Sequence, residues 1–254
     1  LVKAETPSIQ PWGYWGAYFA AVAIVWVLGM IAARRIFGLD RISAVVAGFC
    51  AGQANTVLVG VPIILKAYGE EGTVPLALLI GVHLPVTMTA ATLLVEGRQT
   101  SFPVIAKRLV THPIILAILL GSLLRPLAGH IPEPGWRFLD LLAGAAIPCS
   151  LVAMGIALRR YGVEAGWPLP TLISVLKLLV HPFLVYLLAT RVFSMPPAWV
   201  GVAVLFAACP SGINAYLFAE RYRAGIAIAS SSVSLSSLLA AGTIVLWLAV
   251  LGVG

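Results

Sequence analysis

Two polar stretches that contain glycine and proline interrupt apolar sequence at corresponding places in the two halves of this chain. The first is Gly52-Gln53-Ala54-Asn55-Thr56-Val57-Leu58-Val59-Gly60-Val61-Pro62, and the second is Ala208-Cys209-Pro210-Ser211-Gly212-Ile213-Asn214. In hydrocarbon, an interrupted helix is tolerated only where it is buried in protein or lines a cavity. Paired interruptions in matching positions point to the binding site of a transporter.

Each interruption can bind an anion through the helix that restarts after it. A restarted helix directs unpaired backbone amides and a partial positive charge toward the middle of the membrane, where a carboxylate can bind. Pro62 suits the first turn of the first restarted helix, and Ser211 and Gly212 are expected to cap the second. The alternative is a simple proline kink in a packed helix. Side-chain amides that can bind the anion, or satisfy freed backbone groups instead, belong to Gln53, Asn55 and Asn214.

Lys177 lies near the middle of the apolar run Leu169–Thr190. A lysine at the membrane centre costs about 2.5–3.5 kcal/mol on insertion scales, so it needs a partner or a wet cavity. No acidic residue lies deep in any apolar run, which favours an anionic substrate as that partner. The alternative is a structural lysine that donates to the exposed carbonyls of a broken helix. The predicted substrate-binding residues are therefore Gln53, Asn55, Pro62, Lys177, Pro210, Ser211, Gly212 and Asn214.

Two histidines in apolar runs are candidates for proton coupling, because the pKa of histidine lies near physiological pH. They are His83 and His181, the latter one helical turn after Lys177. For His83, a hydrogen-bonded packing role is the alternative. Ser230, Ser234 and Ser237 share one helical face, where hydroxyls can contact a substrate or serve as small residues between helices.

Composition limits the class of protein. The 254 residues are 61% hydrophobic and 10% charged, whereas soluble domains carry about 25% charged residues. The net charge of +7 comes from basic residues that occur singly or in pairs, which argues against nucleic-acid binding. The three cysteines lie in apolar segments without metal-ligand spacing. We expect no metal, no cofactor and no enzymatic activity.

The apolar runs predict an all-α polytopic membrane protein, because all but the short run His112–Leu127 are long enough to cross a bilayer at about 20 residues per span. Eight such runs are present: Gly13–Ala33, Ile42–Leu65, Val74–Val95, His112–Leu127, Phe138–Leu158, Leu169–Thr190, Val200–Ala219 and Ile226–Leu251. Residues 102–110 are expected to form an amphipathic lead-in at the interface.

Basic residues predict the orientation. The loops after the first, third, fifth and seventh runs hold ten lysines and arginines, and the opposite side holds five. The richer side is expected to be cytoplasmic, so both ends of this chain lie outside.

The first three runs and the last three follow the same pattern, with the middle run of each trio interrupted. Five runs separate equivalent members, so the trios cross the membrane in opposite directions, as in an inverted repeat. Completing that repeat requires two more helices before Gly13, which predicts ten in all. The predicted divisions are 1–97, three helices of the first repeat; 98–111, a cytoplasmic loop with its lead-in; 112–160, two scaffold helices; and 161–254, three transport helices.

Four motifs in this order resemble the auxin efflux carrier family, which includes plant auxin exporters and bacterial permeases. They are Asn55-Thr56-x-x-x-Gly60-x-Pro62 with Lys66-Ala67-Tyr68-Gly69, then Pro148 to Leu158, Lys177 to Pro182, and Pro210 to Tyr216. The resemblance implies a transport domain with two crossover helices, a scaffold that forms a homodimer, and an elevator-like movement. The short loop Glu96–Arg108 is typical of a prokaryotic member, which implies the bacterial inner membrane.

The expected function is secondary transport of small organic anions, with carboxylates as the favoured class. The partners expected are that anion, the lipid bilayer and a second copy of the chain. Two alternatives remain open: a sodium-coupled carrier of the bile-acid type, and a non-transporting membrane sensor or scaffold with the same fold.

Overall fold

The computed structural model describes residues 11–97, 130–161 and 166–253, together with 116, 120, 121, 123, 124 and 126. The described residues are helical apart from turns and short extended segments, and they contain no strand longer than one bridge pair. Four helical stretches are long and apolar enough to cross a membrane: Trp12–Arg35, Thr56–Glu96, Pro168–Val192 and Ile226–Val250. The predicted run His112–Leu127 and the loop 98–111 lie wholly or mostly outside the described residues.

The first half begins with α1 (Trp12–Arg35) and α2 (Arg41–Gly52), which pack closely against each other. Their close approach depends on glycine, because a Cβ at Gly29 would lie 3.1 Å from the Cα of Gly48. Asp40 starts α2 by accepting hydrogen bonds from the backbone amides of Ile42 and Ser43 at 2.9 and 3.0 Å. Such a cap satisfies amides that have no partner within the helix.

The first interruption separates α2 from a π-helical turn, Thr56–Gly60, which continues into α3 (Val61–Tyr68). The helical path therefore restarts at Thr56 as a π-helical turn, and Pro62 lies in the first turn of the α-helical part, α3, as predicted. Pro62 has no amide hydrogen to offer an earlier carbonyl. The turn before it is wider, with the Val61 amide bonded to the carbonyl of Thr56. A 3-10 turn, Gly69–Gly72, leads into α4 (Thr73–Glu96).

The second half contains α5 (Glu133–Tyr161) and then a nearly continuous helix from Pro168 to Val192. That helix comprises α6 (Pro168–Val175), a π-helical turn (Leu176–Val180), α7 (His181–Leu187) and a second π-helical turn (Leu188–Val192). The first of these turns again precedes a proline, Pro182, by the same spacing as at Pro62.

The second interruption lies between α8 (Pro197–Ala208) and α9 (Ile213–Tyr222), and α10 (Ile226–Val250) completes the chain. The two half-helices that precede the interruptions, α2 and α8, form the centre of the molecule. Every residue from Ser43 to Gly52 and from Trp199 to Ala208 is buried. A helix that is apolar on all sides is stable only when surrounded, so both interruptions occur inside the protein.

Candidate functional site

The two interruptions meet and pair through their backbones. Ala54 and Ser211 form an antiparallel bridge. The Asn55 amide donates to the carbonyl of Pro210 at 2.8 Å, and the Gly212 amide donates to the carbonyl of Gln53 at 3.2 Å. Four backbone groups freed by the two breaks thereby satisfy one another, which removes a cost of several kcal/mol per group in hydrocarbon.

Ser211 reinforces the pairing and does not cap α9. Its hydroxyl donates to the carbonyl of Cys50 at 2.7 Å, and its amide donates to Oγ of Ser236 at 3.0 Å. Gly212 occupies the cap position of α9, where no side chain bonds to the first turn. The predicted serine cap is therefore wrong. Because α2 ends at Gly52, the carbonyl of Cys50 has no helical donor and accepts the hydrogen bond from the Ser211 hydroxyl.

His83 from α4 supports the first interruption. Its Nε2 accepts a hydrogen bond from the Ala54 amide at 3.1 Å, and its Nδ1 lies 3.2 Å from Oη of Tyr18. Since Nε2 accepts, the neutral ring carries its hydrogen on Nδ1 and donates it to the tyrosine. If the ring gained a second proton, Nε2 would carry a hydrogen and could no longer accept from the Ala54 amide. This arrangement favours the packing role over proton coupling for His83.

A cavity of about 270 Å³ lies where the interruptions meet. Asn55 and Asn214 lie in its wall, one from each interruption, and the helices that start at Thr56 and Ile213 both begin there. The lining contains no acidic side chain and no lysine or arginine. Its residues are Gln53, Ala54, Asn55, Thr56, Val57, Leu58, Ile80, His83, Leu84, Ile213 and Asn214.

Gln53 lies in the wall of this cavity with 1% of its surface exposed, and its Oε1 has no hydrogen-bond partner. The side-chain amide packs on the Cα of Gly212, where any Cβ would overlap it. A buried acceptor without a donor costs about 1–3 kcal/mol. Gln53 is therefore an unsatisfied polar group at the start of α9.

Lys177 is fully buried but does not line the cavity. Its Nζ donates to the carbonyl of Ala207 at 2.5 Å and lies 3.1 Å from Nδ1 of His181. An ammonium group can only donate, so Nδ1 accepts and the ring hydrogen of His181 is on Nε2, which has no partner. This geometry matches the structural alternative, in which the lysine satisfies the end of a broken helix.

The remaining predicted residues have indirect roles in this structure. Pro62 is buried in the first turn of α3 and lies outside the cavity lining, whereas Pro210 contributes its carbonyl to the bridge. Sequence reasoning missed Thr56, Ile80 and Leu84 as lining residues and Tyr18 as the partner of His83. Thr56 follows Asn55 directly, but nothing in the sequence links α1 or α4 to the interruption. The described residues include no cluster of three or more side chains suited to a metal ion.

Comparison with known proteins places this geometry in context. The model of the family described as "Membrane transport protein" matches residues 3–105 and 98–248. A protein of Rhizobium meliloti (strain 1021), named "Putative malonate transporter", is 30% identical over 243 residues, covering 90% of this chain and 72% of that protein. An "Uncharacterized transporter" of Methanothermobacter thermautotrophicus (strain Delta H) is 28% identical over 243 residues, covering 93% of this chain and 75% of the relative.

Proposed function

Because the chain belongs to the membrane transport protein family, we propose that it carries small organic anions, carboxylates in particular, through the cavity between its two interrupted helices. It is an integral membrane transport protein and not an enzyme, with four long apolar helices among the described residues. The observation that supports the anion most directly is the composition of the cavity wall. Two helices begin there, two asparagines flank them, and no acidic side chain opposes them.

The electrostatics of the wall favour a negative ligand. A helix N-terminus carries about half a unit of positive charge, and two of them begin at this cavity. The amides of Asn55 and Asn214 can add neutral hydrogen-bond donors to a carboxylate. Inside a protein, where the effective dielectric constant is lower than in bulk water, such fixed dipoles act more strongly than they would in solution.

The size of the cavity favours a small ligand. Its volume of about 270 Å³ lies just below the usual range of about 300–1,000 Å³ for pockets that hold drug-sized molecules. A short mono- or dicarboxylate fits this volume. The name of the Rhizobium meliloti relative, "Putative malonate transporter", agrees with a short dicarboxylate.

The wider architecture is part of the same proposal. Eight transmembrane helices form an inverted repeat whose crossover helices meet at the cavity. Both chain ends lie on the outer side of the bacterial inner membrane. Residues 1–97 and 161–254 supply the transport domain, and scaffold helices from residues 112–160 form a homodimer. Transport proceeds by an elevator-like movement of the crossing relative to that scaffold. The pairing of two interrupted helices inside the protein supports this arrangement.

Uptake of radiolabelled malonate into proteoliposomes that contain the full-length protein tests the function. We expect saturable uptake that other short carboxylates inhibit and that neutral amides of the same size do not. Binding without uptake would favour the sensor alternative, and uptake that requires sodium would favour the bile-acid-type alternative. If malonate and other short carboxylates neither bind nor enter, the proposal is wrong.

Asn214→Asp gives a sharper test because it changes the charge of the cavity wall and almost nothing else. A carboxylate beside the bound anion should weaken its binding by about tenfold or more, since like charges in contact cost several kcal/mol. Glu220→Gln, at an exposed position on the same helix, is the matched control and should leave binding unchanged. Equal anion affinity in Asn214→Asp and the parent protein would contradict an anion at this wall.

A further inference from the structure

A second cavity, of about 450 Å³, lies where several helices begin or end. Val250 is the last residue of α10, and Thr190 belongs to the last turn of the helix from Pro168 to Val192. Both helices are long enough to cross a membrane, so we expect this cavity at the polar surface of the bilayer. It shares no lining residue with the cavity between the interruptions. Its lining residues are Tyr68, Glu71, Tyr186, Thr190, Met195, Pro197, Ala198, Val200, Val250, Leu251 and Val253.

The charge of the second cavity is negative. Glu71, in the turn Gly69–Gly72, is an acidic lining residue, and the described lining contains no lysine, arginine or histidine. Among the described residues, the Glu71 carboxylate takes part in no ion pair and accepts no hydrogen bond. A carboxylate repels anions and attracts cations. The second cavity therefore suits a ligand of the opposite charge to the proposed transport substrate.

Three hydroxyl groups add hydrogen-bond acceptors to this charge. Among the described residues, the hydroxyls of Tyr68 and Tyr186 have no hydrogen-bond partner. The Thr190 hydroxyl donates to the carbonyl of Tyr186 at 2.6 Å, which leaves its oxygen able to accept. A primary ammonium group carries three hydrogens and no acceptor. The cavity can therefore accept all of its hydrogens, and the tyrosine rings can also attract a cation through their faces.

The rest of the lining is apolar, and Met195, Val200 and Leu251 are typical of it. Its volume lies within the usual range of about 300–1,000 Å³ for pockets that hold small molecules. We propose that the second cavity binds a primary ammonium group attached to a short apolar chain, with Glu71 as the counter-ion. The ethanolamine headgroup of a membrane lipid and a soluble alkylamine share this chemistry. The inference goes beyond the proposed anion transport and does not depend on it.

Calorimetric titration with hexylamine tests the site on the full-length protein in phosphatidylcholine nanodiscs, whose headgroup has no N–H donor. Glu71→Gln should weaken hexylamine binding by about fivefold or more, because it removes a charged acceptor. Glu70→Gln is the matched control, since Glu70 is an exposed neighbour in the same turn and does not line the cavity. Hexanol keeps the apolar chain and lacks the charge, so the parent protein should bind it more weakly than hexylamine.

Nanodiscs that contain phosphatidylethanolamine identify the source of the ammonium group. If the ligand is a lipid headgroup, this lipid should raise the melting temperature of the parent protein and of Glu70→Gln, but not of Glu71→Gln. If hexylamine binds as expected and the lipid has no effect, the ligand is a soluble amine.

Three results would overturn the inference: equal hexylamine affinity in the parent protein and Glu71→Gln, hexanol binding as tight as hexylamine binding, or no binding of hexylamine. The comparison of hexylamine with hexanol needs only the parent protein, so it decides the question even if a variant does not fold. None of these results bears on malonate uptake, which tests the proposed function separately.

Discussion

Lys177 shows how one buried charge can serve the fold. Its ammonium group donates to the Ala207 carbonyl and to His181, and no atom of the side chain is exposed. A carbonyl at the end of a helix has no intrahelical donor, and α8 ends one residue after Ala207. The lysine therefore stabilises the end of α8 at the second interruption without lining the cavity.

Lys177→Met should lower the melting temperature of the ligand-free protein. The substitution leaves the Ala207 carbonyl buried without a donor, at a cost of about 1–3 kcal/mol. Anion affinity should fall by less than the tenfold or more expected for Asn214→Asp, because Lys177 does not line the cavity. Scanning calorimetry and ligand titration measure the two effects. Lys66→Met, at an exposed lysine, is the control, and a loss of anion binding without a loss of stability would favour the countercharge role.

At the scale of elements, the π-helical turn before Pro62 determines how the first interruption faces the cavity. Thr56, Val57 and Leu58 belong to this turn and line the cavity wall. A π-helical turn holds one residue more than an α-helical turn in the same rise, and such turns are frequent at functional sites. The missing amide of Pro62 removes the α-helical alternative at this point.

Pro62→Ala should raise stability and lower the transport rate. Alanine restores an amide that can bond to the Leu58 carbonyl, so the turn can rewind toward an α-helix and rotate the lining residues away. Thermal unfolding and initial uptake rates measure the two changes. Pro168→Ala is the control, because proline at a helix start costs little and that position is exposed. Unchanged uptake in Pro62→Ala would show that the wide turn has no part in transport.

Asp40, which lies outside the membrane-spanning segments, makes the stability of α2 depend on pH. Hydrogen bonds from Ser43, first from its side chain and then from its backbone amide, hold the pKa of Asp40 below its usual value. A depressed pKa means that this stabilisation is present above the unfolded-state pKa and is lost as pH falls through the folded-state pKa. Asp40→Ala should cost about 1 kcal/mol near neutral pH.

Asp40→Asn should retain most of that stability and lose its acid dependence, since asparagine caps helices about as well as aspartate. Unfolding followed by circular dichroism between mildly acidic and neutral pH compares the parent with both variants. An acid-dependent loss that persists unchanged in Asp40→Asn would assign the effect to other carboxylates.

At the scale of the whole molecule, the pairing of the interruptions predicts that the two halves move together at the crossing. Ala54 and Ser211 oppose each other in a pair whose neighbours make the hydrogen bonds. The Cα atoms of such a pair are about 4.5 Å apart, within the range that a disulfide can bridge. A crosslink here tests whether the crossing moves as one body, as the proposed elevator-like movement requires.

In a background without Cys50, Cys149 and Cys209, the double variant Ala54→Cys, Ser211→Cys should form a disulfide on oxidation. If the crossing moves as one body, the oxidised and reduced forms of this protein should transport at similar rates. Because the oxidised and reduced forms carry the same substitutions, the loss of the Ser211 hydroxyl affects both equally. Activity that disappears on oxidation and returns with a reductant would show that the two interruptions separate during transport.

The sequence was sufficient to locate both interruptions, because polar residues, glycine and proline in apolar helices have few tolerated positions. It was insufficient for the contacts that join them. The serine predicted as a cap bonds across to Cys50, and the helix restarts at Thr56 before the proline. The first difference arises from long-range pairing, since Ser211 and Cys50 are 161 residues apart. The second arises locally, from the wide turn that precedes Pro62.

The same limit applies to the charged and titratable side chains. Depth and composition identified Lys177 and His83 as unusual, but their roles depend on which neighbours they bond. The partner of Lys177 is a backbone carbonyl 30 residues away. Because every residue has such a carbonyl, the sequence does not indicate which one the lysine contacts. Gln53 was a candidate because it lies beside Asn55, whereas its missing partner is visible only in three dimensions.

The backbone bridge also has a consequence for isotope exchange. Unwound segments of transporters are expected to exchange their amide hydrogens for deuterium quickly, because no hydrogen bonds within a helix protect them. Here the amides of Asn55 and Gly212 bond to opposing carbonyls inside the protein, and such amides open only when that region unfolds locally. Deuterium uptake followed by mass spectrometry should therefore find peptides across both interruptions among the slowly labelled ones, slower than the exposed turn at Gly69–Gly72.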